Sequence, residues 1–400
     1  LLVFIFLSLA FVRVWSSSFD DFTVYWRAGK EALAGLSVYT EPGHFQFKYS
    51  PFVALFLGVI YELIEKALIF VGIPPGGFRH HDLNQGPLIW GSARAVGTLF
   101  YWGWLIVWFF WFKRLVRERS PHRDQYTHFA LLALLLVHPL AQELGLGQLN
   151  AIPILGITFV IHQLDHRPNS WSRRLFQVLS CSIALSLAVQ FKLFSLILFP
   201  LLAFRRRWSW ILGSLAVTAA CLEGGLSLAH NHAHALHEVQ AWGTSLTRSS
   251  SALMVSRFNV SWWGFIAKAT GSLLLAQASW VALVVSFLVI QWRNRFASGQ
   301  FQLSFLLAAI LILNPLVWNY WLIFLAPLIL DLLAQHEQRL RQHSRLAVLL
   351  GIVIWIPFLL MFALVAQNWL QPILIFGITV FWLFSTKPLA VALPRNSGSL

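Results

Sequence analysis

Apolar runs long enough to cross a membrane as helices recur from one end of the chain to the other, and short clusters of arginine and lysine separate them. The runs 272–290, 346–365 and 370–384 hold no charged residue at all. A hydrocarbon core of about 30 Å takes about 20 mostly apolar residues to cross as a helix. Backbone amides in lipid must be bonded within their own segment, so such runs predict helices. The short alternating segments of a membrane barrel are absent. The pattern therefore predicts an all-α, polytopic transmembrane helical bundle of 11–13 membrane segments. Residues 1–386 read as a single membrane domain and 387–400 as a short polar tail. The run 1–15, charged only at Arg13, reads as a first span; the small residues Ser16, Ser17 and Ser18 after it would also suit the cleavage site of a signal peptide.

The basic clusters order these segments. Lys113, Arg114, Arg117, Arg119 and Arg123 form the first, and Arg167, Arg173 and Arg174 the second. Arg205, Arg206 and Arg207 follow, then Arg293 and Arg295, then Arg339, Arg341 and Arg345. Cytoplasmic loops carry an excess of lysine and arginine, so these clusters mark the cytoplasmic side. The segments between them run out and back. Their far-side tips fall at 143–150, 190–192, 227–263, 314–319 and 367–371. The segment 52–70 breaks this order, because the residues on both sides of it read as far-side. Either it is re-entrant, or 71–94 hides a crossing, or one loop is misplaced. Glu62, Glu65 and Lys66 make its second half amphipathic, which favours a partly interfacial helix.

Composition agrees with this picture. Hydrophobic residues make up 58% of the 400 and charged ones 11%, against about 25% charged in soluble domains. The net charge of +14 lies in loops between apolar runs, so nucleic acid is not an expected partner. Cys181 and Cys221 fall inside apolar segments and read as small core residues. His230, His234 and His237 share a helical face, but neither a His-Glu-x-x-His spacing nor a nearby cysteine accompanies them, and no metal site is expected.

Candidate chemistry sits at the far-side tips. The first loop reads as a short helix, with Asp20 as N-cap and Gly35 just past the C-terminus. Asp21 and Tyr25 lie four residues apart on one face of it. Tyr49-Ser50-Pro51 sets the start of the next segment. Gly147-Gln148-Leu149-Asn150 reads as a tight polar turn between two apolar segments, satisfying helix ends. Lys192 interrupts the apolar stretch 183–204. If that stretch is a helical hairpin, Lys192 sits at its tip, placed for a phosphate or for snorkelling. Arg257, Asn259, Trp318 and Asn319 bring cationic, amide and aromatic groups to two later tips. Such groups suit a sugar, although interfacial belts also collect tryptophan.

Taken in order, these motifs resemble the polyprenol-phosphate-mannose-type mannosyltransferases of glycosyltransferase family 87, which have the GT-C membrane fold. The resemblance rests on Asp21-Phe22-Thr23-Val24-Tyr25, on Leu33-Ala34-Gly35 with Tyr39, and on Tyr49-Ser50-Pro51. It continues through Gly147-Gln148-Leu149-Asn150, Lys192, Arg205–Arg207 and Asn259-Val260-Ser261. Late in the chain, Trp318-Asn319-Tyr320 stands where the family often has Trp-Asp-His, so an amide and a phenol replace an acid and a histidine. Residues 71–94 look like an insertion.

The resemblance implies a multi-pass hexosyltransferase of the plasma (inner) membrane with its active site on the extracytoplasmic face. The donor would be a polyprenyl-phosphate sugar, with mannose favoured, and the acceptor an envelope lipid or glycan. Asp21 would be the general base of an inverting transfer. Lys192 or Arg257 would hold the phosphate, with no cofactor required. Asp20, Tyr25, Tyr49, Gln148, Asn150, Asn259, Trp318 and Asn319 complete the expected substrate-binding set. The alternative is a multi-span transporter of a lipid-linked or small polar substrate. Its usual internal repeats and mid-membrane site are not evident.

Overall fold

The structure is a computed structural model that describes residues 20–39, 47–80, 87–120, 124–166, 168–254, 259–341 and 371–385. The expected spans at 1–15 and 346–365, the tail 387–400 and Arg257 lie outside the described residues. The chain is a helical membrane protein. Helices α1 (Asp20–Leu33) and α2 (Pro51–Phe70) come first. A two-stranded antiparallel ribbon follows, β1 (Phe78–His80) with β2 (Pro87–Ile89), pairing Arg79 with Leu88. Then come α3 (Gly91–Arg119), α4 (Gln125–Leu146), α5 (Ala151–Leu164), α6 (Trp171–Phe191) and α7 (Leu193–Phe204). Next are α8 (Trp208–Ala229), α9 (His232–Met254), α10 (Trp262–Thr270), α11 (Leu273–Arg293) and α12 (Gly299–Leu313). A 3₁₀ segment, Asn319–Leu325, leads into α13 (Ala326–Arg341), and α14 is Gln371–Ser385. Among the described residues α3, α4, α6, α8 and α11 are long and apolar enough to span a membrane, while α5, α7, α12 and α14 are shorter apolar helices.

Serine starts many of these helices. Ser50, Ser170, Ser261, Ser272 and Ser298 each accept a bond from a backbone amide of the first turn, which satisfies one of the orphan donors there. Helix α1 ends as its sequence predicts. Gly35 takes a left-handed conformation (φ 70°), Leu36 N–H bonds Glu31 C=O at 2.9 Å, and Gly35 N–H bonds Ala32 C=O at 3.2 Å.

The bundle has two distinct ends. At one, Arg205 donates to Asp165 at 3.3 Å and to the carbonyls of Arg295 and Ala297. Arg119 pairs with Asp331 at 3.1 Å, and Gln300 donates to the carbonyl of Glu118. The basic loops 113–119, 205–207 and 293–300 therefore meet at one end, as their charge pattern requires.

At the other end α1 and α2 pack on the start of α3. The phenol of Tyr101 donates to the carbonyl of Gly147, which sets Tyr101 level with the end of α4. About 15 Å of α3 thus projects past α4, and Phe22 and Tyr61 pack against that projection at Tyr101 and Phe100. Both ends of α2 are held at this same end of the molecule. Ser50 bonds Gln190 at the close of α6, and Glu65 accepts from Ser92 at 2.7 Å in the first turn of α3. Helix α2 therefore lies across the bundle rather than through it. That removes the contradiction around 52–70, and the stretch 71–94 holds the small ribbon rather than a crossing. Gly29 and Gly58 mark where α1 and α2 cross, since a Cβ on Gly58 would collide with the backbone of Gly29. Lys30 of α1 reaches Glu62 and Glu65 of α2 beside that crossing.

Candidate functional site

The polar groups at the far end converge from five parts of the chain. Helix α1 supplies Asp21 and Tyr25, one turn apart. The loop before α2 supplies Lys48 and Tyr49. The close of α4 and the turn after it supply Glu143, Gln148 and Asn150. The break between α6 and α7 supplies Lys192, with Tyr320 and Trp321 arriving from the 3₁₀ segment.

Each group has a local reason for its place. The turn begins at Gly147, whose φ of 82° suits glycine, and a Cβ there would strike the Tyr101 phenol. Gln148 N–H bonds the Glu143 carbonyl at 2.9 Å, so the turn folds back on α4. The Glu143 carboxylate then accepts from Asn150 twice, from the backbone N–H at 3.1 Å and from Nδ2 at 2.8 Å. Gln148 Nε2 donates to Asp21 Oδ2, which ties the turn to α1. Lys192 closes α6, donating its backbone N–H to Ala188 C=O before the chain tightens into a 3₁₀ turn at Leu193–Ile197. It therefore sits at the tip of a helical hairpin.

Aromatic rings frame the cluster. The phenols of Tyr25 and Tyr49 bond each other at 2.6 Å, and the Tyr39 phenol donates to the Tyr49 carbonyl at 2.6 Å. Lys192 Nζ lies 4.7 Å from the Tyr49 ring centroid and 5.7 Å from that of Trp321, the geometry of a cation held on a ring face. Burial raises the phenols of Tyr25, Tyr39 and Tyr49 well above their usual range, so they stay protonated.

Burial pushes the Lys192 ammonium down to about 8, against the pull of Glu143 and Asp21. It lowers Lys48 too, with Asp21 opposing. Burial raises the Tyr320 phenol, and the charges of Asp21 and Glu143 add to that rise. Two lysines, two carboxylates and a phenol thus act on one another within a single poorly hydrated region. The loop that carries Lys48 is held by α9: Glu238 accepts from Val38 N–H at 3.2 Å, and Trp242 donates to the Lys48 carbonyl at 3.2 Å. His230, in the link between α8 and α9, bonds the carbonyl of Ala32 and anchors the end of α1.

The structure brings together Asp21, Tyr25, Tyr49, Gln148, Asn150 and Lys192. Asp20 opens α1, and its side chain lies outside the described residues. Asn259 does different work. Its Oδ1 accepts from Ser261 and Val317 N–H, both at 3.0 Å, and its Nδ2 donates to Pro315 C=O at 2.8 Å. It pins two loops together, a positioning role. Trp318 packs half-buried against the core, and Asn319 opens the 3₁₀ segment that delivers Tyr320 and Trp321.

Sequence reasoning did not pick out Glu143, Lys48 or Trp321 for the site. A signal existed for Glu143, the one acid between Asp124 and Asp165, set at the close of an apolar helix. An ionisable group in such a position is a functional candidate. Tyr320 was visible only as a departure from the Trp-Asp-His pattern.

A sequence model of Glycosyltransferase family 87 matches residues 85–317, more than half of the chain. The matched stretch carries Glu143, Gln148, Asn150, Lys192 and Asn259, and it starts after Asp21 and Tyr49. No curated protein matches the chain.

Proposed function

The chain belongs to glycosyltransferase family 87, and from that premise we propose that this membrane glycosyltransferase moves a hexose, mannose in our reading, from a polyprenyl-phosphate donor to an envelope lipid or glycan. One observation carries the proposal. Asp21 and Lys192 share a buried cluster at the end of the bundle opposite the basic loops. By the positive-inside rule that end would face away from the cytoplasm, which supports the reading of a reaction on the extracytoplasmic face of the plasma (inner) membrane.

In this mechanism Asp21 accepts the proton of an acceptor hydroxyl as its oxygen attacks the anomeric carbon. The bond from that carbon to the phosphate oxygen breaks on the opposite face, with inversion. The electron pair leaves with the polyprenyl phosphate. A phosphate is a stable anion, so the leaving group needs charge rather than a proton. Lys192 supplies that charge from a site where burial strengthens its field. Gln148 fixes the Asp21 carboxylate by donating Nε2 to it. Of the bonded phenols of Tyr25 and Tyr49, one hydroxyl hydrogen is left as a neutral donor beside it. Tyr320, raised by burial, also acts as a donor and not as a base. Arg257 remains a second candidate cation for the phosphate.

The test is incubation of the purified protein with radiolabelled polyprenyl-phosphate mannose and envelope lipids, with and without EDTA. Labelled lipid or glycan is expected under both conditions. Transfer from a nucleotide sugar but not from the lipid phosphate would overturn the proposal.

A further inference from the structure

The turn 147–150 carries two side-chain amides whose orientation is set from one side. An ionised carboxylate only accepts hydrogen bonds. Gln148 Nε2 donates to Asp21, and Asn150 donates Nδ2 to one Glu143 oxygen and its backbone N–H to the other. The amide oxygens are then turned away from the carboxylates. Gln148 Oε1 and Asn150 Oδ1 are buried and accept no bond from any described protein group. The residues are 6% and 0% exposed. Two buried acceptors, held in place by two carboxylates, call for two donors.

The donors that fit are hydroxyls. A phosphate ester near neutral pH offers acceptors and would oppose these oxygens; a sugar offers hydroxyl donors. The position selects the transferred sugar rather than the acceptor. Glu143 lies within electrostatic reach of both Asp21 and Lys192. In an in-line displacement the sugar ring lies between the attacking oxygen at Asp21 and the departing phosphate at Lys192. The turn borders that interval.

We infer that the 147–150 turn is the sugar-recognising element of the site, with Gln148 Oε1 and Asn150 Oδ1 accepting from two hydroxyls of the transferred hexose and Glu143 serving as the positioning residue that fixes Asn150. This rests on the transferase reading above. It adds Glu143 to the machinery and assigns the two amide oxygens a chemical partner.

The experiment compares binding of polyprenyl-phosphate mannose and bare polyprenyl phosphate to the full chain in nanodiscs. The wild type is expected to bind the sugar-bearing lipid about tenfold more tightly, the scale of two modest hydrogen bonds. Glu143→Gln can present its own NH₂ to Asn150 and release the amide orientation. It should reduce the sugar increment to within about twofold. Glu143 also helps to hold Lys192 cationic, so the comparison is made at mildly acidic pH, where the bare lipid should bind that variant about as tightly as the wild type. Asn150→Ala, which deletes one acceptor and leaves Glu143, should also lose the increment and covers the case in which Glu143→Gln fails to fold. Equal affinity of the wild type for the two lipids overturns the inference. So does an equal loss for both lipids in the variants, which marks a merely structural turn. The bare lipid reports on the phosphate contact and the increment on the turn, so the two readings fail separately; absence of binding to either lipid overturns both.

Discussion

At the basic end of the bundle, charge meets charge or backbone in well-formed pairs. Arg119, almost fully buried, forms an ion pair with Asp331 at 3.1 Å and donates to the Gln300 carbonyl at 3.3 Å. Arg205 joins Asp165 and two further carbonyls. At the opposite end Glu143 is buried, Asp21 and Lys192 are partly buried, and all three are differently partnered. Lys192 rests on aromatic rings, Glu143 holds an amide, and Asp21 takes an amide from Gln148. A guanidinium that bridges a carboxylate and several carbonyls ties loops together and has little capacity left. A lysine on a ring face keeps its hydrogen-bond donors for an incoming phosphate. The difference teaches where architecture ends and chemistry starts in a chain that is basic throughout.

The comparison breaks if charge at the far end proves dispensable. Asp21→Asn keeps the size and the helix position but loses the base. Transfer should fall by about 10²–10⁴-fold, the usual contribution of a general base, while circular dichroism and the thermal transition stay those of the wild type. A variant that turns over normally would show that the cluster is structural at both ends.

Lys192→Ala comes next. Loss of a charge-assisted contact to phosphate should lower kcat/KM by about 10- to 100-fold. The pH dependence sharpens the point. With its pKa pushed down to about 8 by burial, Lys192 is cationic below that pH and neutral above it. Donor KM should therefore rise as pH climbs through about 8. Lys192→Arg, whose guanidinium stays charged, should flatten that rise. A rise of the same size in the arginine variant would assign the titration to another group.

Much of this molecule is legible in its sequence, and the illegible part has a physical cause. The helical membrane class follows from uncharged runs such as 272–290, because lipid leaves the backbone no alternative. The two ends follow from arginine placement. The capping of α1 at Gly35 was readable because a left-handed residue there favours glycine. The attitude of α2 was not readable from periodicity. Its length of 20 residues suits a span, and what lays it across the bundle is a pair of distant bonds, Ser50 to Gln190 and Glu65 to Ser92. Within the site, Asp21, Tyr25 and Lys192 stood out by local pattern. Lys48 and Trp321 did not, since their contribution depends on chain segments separated by more than a hundred residues. Asn259 shows the reverse. An amide at a polar tip suggests a ligand, yet its bonds go to the neighbouring loop.

A smaller effect is expected within the aromatic frame. Tyr25→Phe keeps the ring and removes the 2.6 Å bond to Tyr49. One neutral buried hydrogen bond is worth about 0.5–1.5 kcal/mol, so donor KM should rise by about two- to tenfold through looser placement of the ring beneath Lys192. An unchanged KM would show that Tyr49 is held by packing and by Tyr39 alone.

The smallest effect on turnover belongs to the basic end, and it tests the contrast from the other side. Arg119→Ala strands Asp331 in a buried site, since its neutral partners Ser304 and Trp382 do not neutralise it. Removing one partner of a buried ion pair costs about 3–5 kcal/mol, so the thermal transition should fall clearly. Turnover per folded molecule should stay within about twofold of the wild type, because among the described residues that end makes no contact with the cluster around Asp21. A stable variant with poor turnover would mean that the two ends communicate through α3 and α13, and the division between an architectural end and a chemical end would have to be given up.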